Sequence, residues 1–249
     1  MPDSAATAPM LLALDTCGAA GSVVLGRVRL AENKVEVLAR AEFAGRTYSA
    51  QLIPRIGELL AGQHATMRDI RAIVAVRGPG SFTGVRVGLS AAKGLAEGSG
   101  SGIIAVSRLA LLASVSGLPH VLAAINAGRG EYYVGEYREG GVTLRETLMS
   151  AAELCAAVLV PGAGVLVCES SELQTGVAGA LGEAIGAVPG RLVYVPAPDA
   201  SDALLFALNR LRSEDFEDVE ALDGNYLRRS DAELFGAAGT GVRKAESTT

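Results

Sequence analysis

Apolar residues run unbroken over residues 10–14, MLLAL, and end in a carboxylate at Asp15. This run predicts a first strand over 10–15, and the small, Gly-rich stretch 17–21 predicts a turn after it. Residues 22–25 and 35–43 are two more strands; in the second, Val35, Val37 and Ala39 alternate with polar neighbours. The period then changes. Leu52, Ile53, Ile56, Leu59 and Leu60 recur at helical spacing, with Thr47 or Ser49 as the expected cap and Pro54 limiting how far upstream the helix stays regular. A strand over 72–76, a helix over 84–97, a strand over 103–106 and a short helix over 108–115 complete the first half.

The second half repeats the order. Strands are predicted over 121–125, 131–137 and 142–148, the last two around a Gly140-Gly141 hairpin. A helix over 151–158, a strand over 165–168, a helix over 172–185, a strand over 191–195 and a helix over 201–212 follow, the last capped by Asp199 or Ser201. Each half therefore reads β-β-β-α-β-α-β-α. Short turns between the three leading strands imply an antiparallel start. The alternation that follows implies parallel strands with helices on both faces. Two such units in tandem predict an α/β protein of the duplicated ribonuclease-H-like, actin-like (ASKHA) architecture. Its lobes are expected over 10–116 and 117–235, with flexible tails at 1–9 and 236–249. Helix 201–212 is the segment that can pack back on the first lobe. Members of that class place nucleotide between the halves, near the ends of the two first strands.

Composition narrows the chemistry. Apolar residues make up 49% of the 249, aromatics 4% and charged residues 20%, so the core is expected to be aliphatic and closely packed. With 22 Lys and Arg against 27 Asp and Glu, the net charge of −5 argues against unaided nucleic-acid binding, which needs clustered cations. No apolar run reaches the ~18 residues of a membrane span. Residues 1–9 carry no basic residue ahead of an apolar core, so no secretory signal is expected, and initiation at Met10 would lose no predicted element. Cys17, Cys155 and Cys168 form no CxxC pair and read as reduced thiols, the last two as core residues. The expected location is the cytoplasm.

The strongest local signal is RGPGSFTGVRVG, residues 77–88, between a strand and a helix. Gly78, Gly80 and Gly84 permit sharp turns, Pro79 fixes one dihedral, and Ser81 or Thr83 can cap the helix that follows. Such a turn can cradle phosphate. Yet no Lys follows in P-loop register, and Gly84 falls one place late for GxGxxG, which favours a structural turn. On a helix of about 100° per residue, Gly84, Gly88, Ala91 and Leu95 form one stripe and Val85, Leu89, Ala92 and Ala96 another. Only Arg86, Ser90, Lys93 and Glu97 remain polar. This apolar arc exceeds the roughly 100° that one sheet requires. Either the helix is sandwiched inside its own domain, or its small-residue stripe receives a second helix. Gly88→Leu separates the two, unfolding the chain in the first case and blocking docking in the second.

Here the sequence resembles the TsaB family. The resemblance is carried by RGPGSFTGVRVGLSAAKGLA, LLALDTCGAAGSVVL, RTYSAQLIPRIGELL, AAINAGRGEYYVGEY and NYLRRSDAE, across most of residues 10–233. It implies the duplicated actin-like fold and a role beside TsaD, which transfers a threonylcarbamoyl group to the tRNA adenosine next to the anticodon. TsaB is the non-catalytic partner of that subunit, a TsaE ATPase joins them, and tRNA is met only through the complex. On this reading the motif loop is Arg77, Gly78, Pro79, Gly80, Ser81, Phe82, Thr83, Gly84 and Arg86. Helices 49–61 and 84–97 supply the partner contact through Leu52, Ile56, Gly84, Val85, Gly88, Ala91 and Leu95, which a homodimer could also use. No catalytic residue and no metal ligand set are expected, and ATP, ADP and metal belong to the partners.

The residues themselves point the same way. TsaD-like proteins hold metal with HxxxH, but this chain has only His64 and His120, far apart. Tyr48 stands where TsaB relatives usually carry His, leaving Arg46, Tyr48, Ser49 and Gln51 as a polar cluster or simply the first turn of a helix. Asp15 could support a divergent actin-like ATPase or small-molecule kinase. Its opposite number is the uncharged Asn126, however, and a strand-end, turn-bonding role is preferred. Cys17 has no His partner to make it a nucleophile, and no GxSxG elbow is present. Arg228 and Arg229 read as a basic spot on the surface.

Overall fold

A computed structural model describes residues 8–44, 47–138, 142–170 and 190–228. The predicted helix over 172–185, the Gly140-Gly141 turn, Arg46, Arg229 and almost all of both tails lie outside the described residues. The first sheet contains β1 (Met10–Asp15), β2 (Ala20–Arg29), β3 (Lys34–Ala44), β4 (Ile70–Val76) and β5 (Gly102–Val106), in the order β3-β2-β1-β4-β5. The second contains β6 (His120–Gly128), β7 (Glu131–Arg138), β8 (Val142–Ser150), β9 (Val165–Glu169) and β10 (Leu192–Val195), in the order β10-β9-β6-β7-β8. Read from the other edge, the second order is the first one repeated. In both sheets the three leading strands pair antiparallel and the later two are parallel to the first. The duplicated actin-like architecture expected from the element order is therefore the architecture found.

The helices are α1 (Tyr48–Gly62), α2 (Phe82–Ser99), α3 (Arg108–Ser116), α4 (Ala151–Leu159), α5 (Ala200–Phe206) and α6 (Leu208–Arg212). α1 buries Tyr48, Leu52, Ile56 and Leu60, a strict four-residue row facing the sheet, while Ile53 stays 51% exposed. Pro54 does not stop the helix upstream, since the turn it interrupts lies on the solvent side, where Ser49 and Ala50 are exposed. Thr47 is the N-cap residue, but its hydroxyl donates back to the Ala44 carbonyl at 2.8 Å instead of capping. Asp199 caps α5, accepting from the amides of Ser201 (2.6 Å) and Asp202 (3.4 Å). The single helix predicted over 201–212 is broken at Ala207 into α5 and α6.

β1 is buried on both faces, as its unbroken apolar run requires. The row of β2 shows what lies on each side. A Cβ on Gly21 would meet the Tyr48 ring of α1 at 2.5 Å, and one on Gly26 would meet Leu204 of α5 at 2.7 Å. These positions differ by an odd number, so they point to opposite faces. α1 and α2 thus lie together on one face of the first sheet, and α5 on the other. Ala200, Ala203 and Leu204 join the core of the first sheet although they come from the second half of the chain. The converse holds for α3. Leu109, Ala110, Leu112 and Ala113 pack with Val121, Ala123, Tyr137 and Val167 in the core of the second sheet. A boundary at 116/117 assigns α3 to the first lobe, but its apolar face belongs to the other. α4 closes the far side of the second sheet through Leu154 and Val158. None of the described helices is long and apolar enough to cross a membrane.

Leu204 is fully buried between α5 and the first sheet. Leu204→Ala is therefore expected to cost about 2–5 kcal/mol of stability. The second-sheet signal should be lost in the same urea transition as the first, because α3 and α5 tie both sheets into one unit.

Candidate functional site

The motif loop meets the turn that follows β1, and backbone approaches backbone. A Cβ on Gly80 would lie 2.4 Å from the Cys17 carbonyl oxygen; on Gly84, 1.9 Å from the Thr16 carbonyl oxygen; on Gly88, 2.4 Å from the Thr16 hydroxyl. No side chain fits at any of the three. Hydrogen bonds close the seam. The Thr16 hydroxyl donates to the Gly84 carbonyl (2.6 Å), the Ser81 amide to the Cys17 carbonyl (2.8 Å), and the Cys17 thiol to the Val76 carbonyl (3.2 Å). Ser81 caps α2, its hydroxyl accepting from the Gly84 amide at 3.2 Å. Gly78 takes φ +100° before a cis Pro79, and its carbonyl accepts from the Arg108 amide at 2.8 Å.

This packing settles the meaning of the small-residue stripe. Gly84, Val85 and Gly88 are buried inside their own lobe, as are Leu52 and Ile56 of α1, and none of these five presents a surface for a partner. The wide apolar arc of α2 arises because one side covers the sheet and the adjoining side receives the Thr16–Cys17 turn. Ala91 and Leu95 are half-buried against the same core.

Asp15 ends β1 with a carboxylate that is 2% exposed and accepts from the Cys17 amide at 2.8 Å, the turn-bonding role expected of it. Burial raises its pKa; Arg108 and the Cys17 bonds oppose that rise. Burial, and then the Asp15 charge, push the Cys17 thiol well up, so it is no thiolate near neutrality. Asn126 likewise serves a turn, accepting from the Gly128 amide at 2.7 Å. Tyr48 does not join a polar cluster. It is buried, stands edge-on to Phe43 at 6.4 Å, and donates its hydroxyl to the Gly18 carbonyl at 2.8 Å, while Ser49 and Gln51 are exposed.

Two further groups complete the region; the sequence reading singled out Arg228 of the second, but not Arg108 or Glu169 of the first. Arg108, the first residue of α3, pairs with Glu169 at the end of β9 at 2.8 Å, and both are buried. Burial works against the Arg108 charge, but Asp15 and Glu169 more than offset it and its pKa is raised. The second group is the segment 222–228, which straps the lobes together. The Asn225 amide donates to the Arg77 carbonyl (2.7 Å), and the Asn225 side chain donates to Glu146. Tyr226 packs on Phe82 with ring centres 4.8 Å apart, and the Arg86 guanidinium lies over the Phe82 ring, 3.9 Å from its centre. Arg228 is no free surface charge. It donates to the carbonyls of Ala127 (2.7 Å) and Gly128 (3.1 Å) and pairs with Glu131. An open groove of about 460 Å³ remains between α2 and this segment, lined by Phe82, Arg86, Ser90, Lys93, Asp223 and Tyr226.

Among the described residues no group of three or more His, Cys, Asp or Glu is placed to hold a metal ion. His120 faces Glu136 at 2.9 Å, and Cys17, Cys155 and Cys168 are in no disulfide.

Fold and site together define a two-lobed, actin-like α/β protein whose glycine motif is spent on internal contact. A model of the family TsaD, tRNA N6-adenosine threonylcarbamoyltransferase, matches residues 39–176. The chain is 38% identical over 138 residues to the tRNA threonylcarbamoyladenosine biosynthesis protein TsaB of Escherichia coli, which covers 53% of this chain and 57% of that protein. It is 38% identical over 130 residues to TsaB of Haemophilus influenzae, covering 51% and 52%. The chain thus spans little more than half the length of these curated relatives. Among solved structures, YeaZ from Pseudomonas aeruginosa is similar over 88% of this chain and 100% of that one, with 27% identity and a TM-score of 0.67. The chain belongs to the TsaD family and is similar to its TsaB relatives.

The glycines of α2 give a test with opposite signs on one helix. Gly84→Ala should abolish or severely reduce folding, because its methyl would overlap a backbone oxygen that cannot retreat. Gly94→Ala, with nothing within 4 Å, should raise stability by up to about 1 kcal/mol. Thermal melts of the two variants beside the parent chain check both.

Proposed function

We propose that this chain is a TsaB-like scaffold subunit that binds and supports a TsaD-like subunit in the transfer of threonylcarbamoyl to the tRNA adenosine next to the anticodon. The observation that carries the proposal is how the motif loop spends its polar groups. In a phosphate-binding turn the backbone amides point at the ligand. Here the Ser81 amide is bonded to Cys17, the Gly84 amide to the Ser81 hydroxyl and the Val85 amide to the Ser81 carbonyl. The loop is built to hold α2 against the turn after β1, and so to set the outer faces of α1 and α2.

Those outer faces are the proposed contact. α1 and α2 lie side by side on the outside of the first sheet, whereas α3 and α5 are enclosed between the sheets. Ile53 projects from α1 as an exposed apolar side chain, and α2 presents Arg86, Ser90 and Lys93. A second copy of the chain would compete for this face, so homodimer and heterodimer are alternatives. In this reading the chain needs no cofactor of its own. ATP, ADP and metal reside in the TsaD-like subunit and a TsaE-like ATPase, tRNA is met through the complex, and the assembly is cytoplasmic. The TsaB relatives, named for tRNA threonylcarbamoyladenosine biosynthesis, support this assignment.

Size-exclusion chromatography with the cognate TsaD-like protein is expected to yield a joint peak. Ile53→Arg should weaken that association at least 10-fold, the equivalent of about 1.4 kcal/mol, with an unchanged melting temperature. Separate elution under all nucleotide conditions would overturn the scaffold reading. Magnesium-dependent ATP turnover by the isolated chain, lost in Asp15→Ala, would put a kinase or ATPase in its place.

A further inference from the structure

α2 lends two cations to an open groove and pairs neither. Arg86 and Lys93 lie two turns apart on the helix, so they share a face with their roots about 10 Å apart along the axis. Both line the groove of about 460 Å³ between α2 and the segment 222–228. Among the described residues neither side chain has an ion pair or a hydrogen-bond acceptor. Arg228, which lines the same groove, is by contrast spent on the Ala127 and Gly128 carbonyls and on Glu131. Arg86 is nevertheless held in place over the Phe82 ring, a contact that uses its charge but none of its N–H donors. Beneath the cations the lining is apolar: Leu89 and Leu222 are buried, and Tyr226 stands 36% exposed against Phe82. The wall opposite carries Asp223, which accepts from the Gly224 amide at 2.7 Å.

These features select an occupant. Unpaired cations above an apolar floor call for carboxylates carried on an apolar body, and on a chain of net charge −5 they are a local reversal of sign. Nucleic acid fits poorly, because Asp223 faces the same space and a run of phosphates needs clustered cations. A protein segment suits both walls, with acidic side chains toward α2 and a backbone amide toward Asp223. The second wall is itself tied to both lobes, since the Asn225 amide donates to the Arg77 carbonyl and its side chain to Glu146 of β8. We propose that this groove receives an acidic segment of the TsaD-like subunit, whose carboxylates pair with Arg86 and Lys93 while an apolar side chain packs on Phe82 and Tyr226. The inference rests on the scaffold reading above and adds the chemistry of the contact. It carries the interface from Ile53 on α1 across α2 to a segment that the second lobe holds.

Lys93 gives a direct test, because the other lysines of the chain are Lys34 and Lys244. A water-soluble carbodiimide converts a partner carboxylate to an O-acylisourea; the Lys93 amine attacks its acyl carbon, and an amide forms as the urea leaves. In the complex with the cognate TsaD-like protein, mass spectrometry should find Lys93 joined to an aspartate or glutamate of that protein. Arg86→Ala and Lys93→Ala together should weaken the association at least 10-fold by calorimetry, with the melting temperature unchanged. The same pair should remove most of the affinity that the parent complex loses between about 0.05 M and about 0.5 M salt. A parent chain that never associates with the TsaD-like protein would overturn the scaffold reading and this inference together. An association that Ile53→Arg breaks but the double variant leaves intact would overturn this inference alone. So would a Lys93 amide to a second copy of the chain, or a double variant that keeps the protein partner and loses only tRNA from the complex.

Discussion

The contact on which the molecule depends is the seam between α2 and the turn after β1. Gly84 and Gly88, one turn apart on α2, and Gly80 in the loop before it let the helix start approach the Thr16–Cys17 turn more closely than any Cβ would tolerate. Glycine within a helix costs roughly 1 kcal/mol relative to Ala, so a row of them needs a return. The return here is an approach close enough for the Thr16 hydroxyl and the Ser81 amide to bond across the seam. Everything downstream inherits that placement. The Gly78 carbonyl is set for the Arg108 amide, the Phe82 ring for Tyr226, and the outer face of α2 for whatever covers it.

A second principle is exchange between the halves. α3 leaves the first sheet and fills the core of the second, and α5 does the reverse. The segment 222–228 then crosses back, bonding Arg77 at one end and the β6–β7 turn at the other. Each half thus completes its neighbour's core. The buried Arg108–Glu169 pair ties the start of α3 to the end of β9 at this crossing.

The order of elements was legible because the period of apolar residues changes cleanly between strands and helices. β1 and α1 show it best: MLLAL can only be central, and Leu52, Ile56 and Leu60 recur on one helical face, although the structure adds Tyr48 to that face and leaves Ile53 outside it. The turn-bonding role of Asp15 and the cap at Ser81 also follow from local chemistry. What sequence cannot supply is the identity of a neighbour. The α2 arc showed that something lies against Gly84 and Gly88, but not that it is Thr16 of the same lobe. Arg108 looks like a helix start with a solvated side chain, and Glu169 like a strand end, until two distant segments bring them together.

The crossed helices also bear on how the molecule could be divided. A cut in the loop between α3 and β6 would leave each fragment with a guest helix facing water and a vacant site that only the other fragment fills. Neither piece is a self-sufficient domain, yet each is the mould for the other. The chain therefore has the makings of a split protein whose halves reassemble by mutual templating.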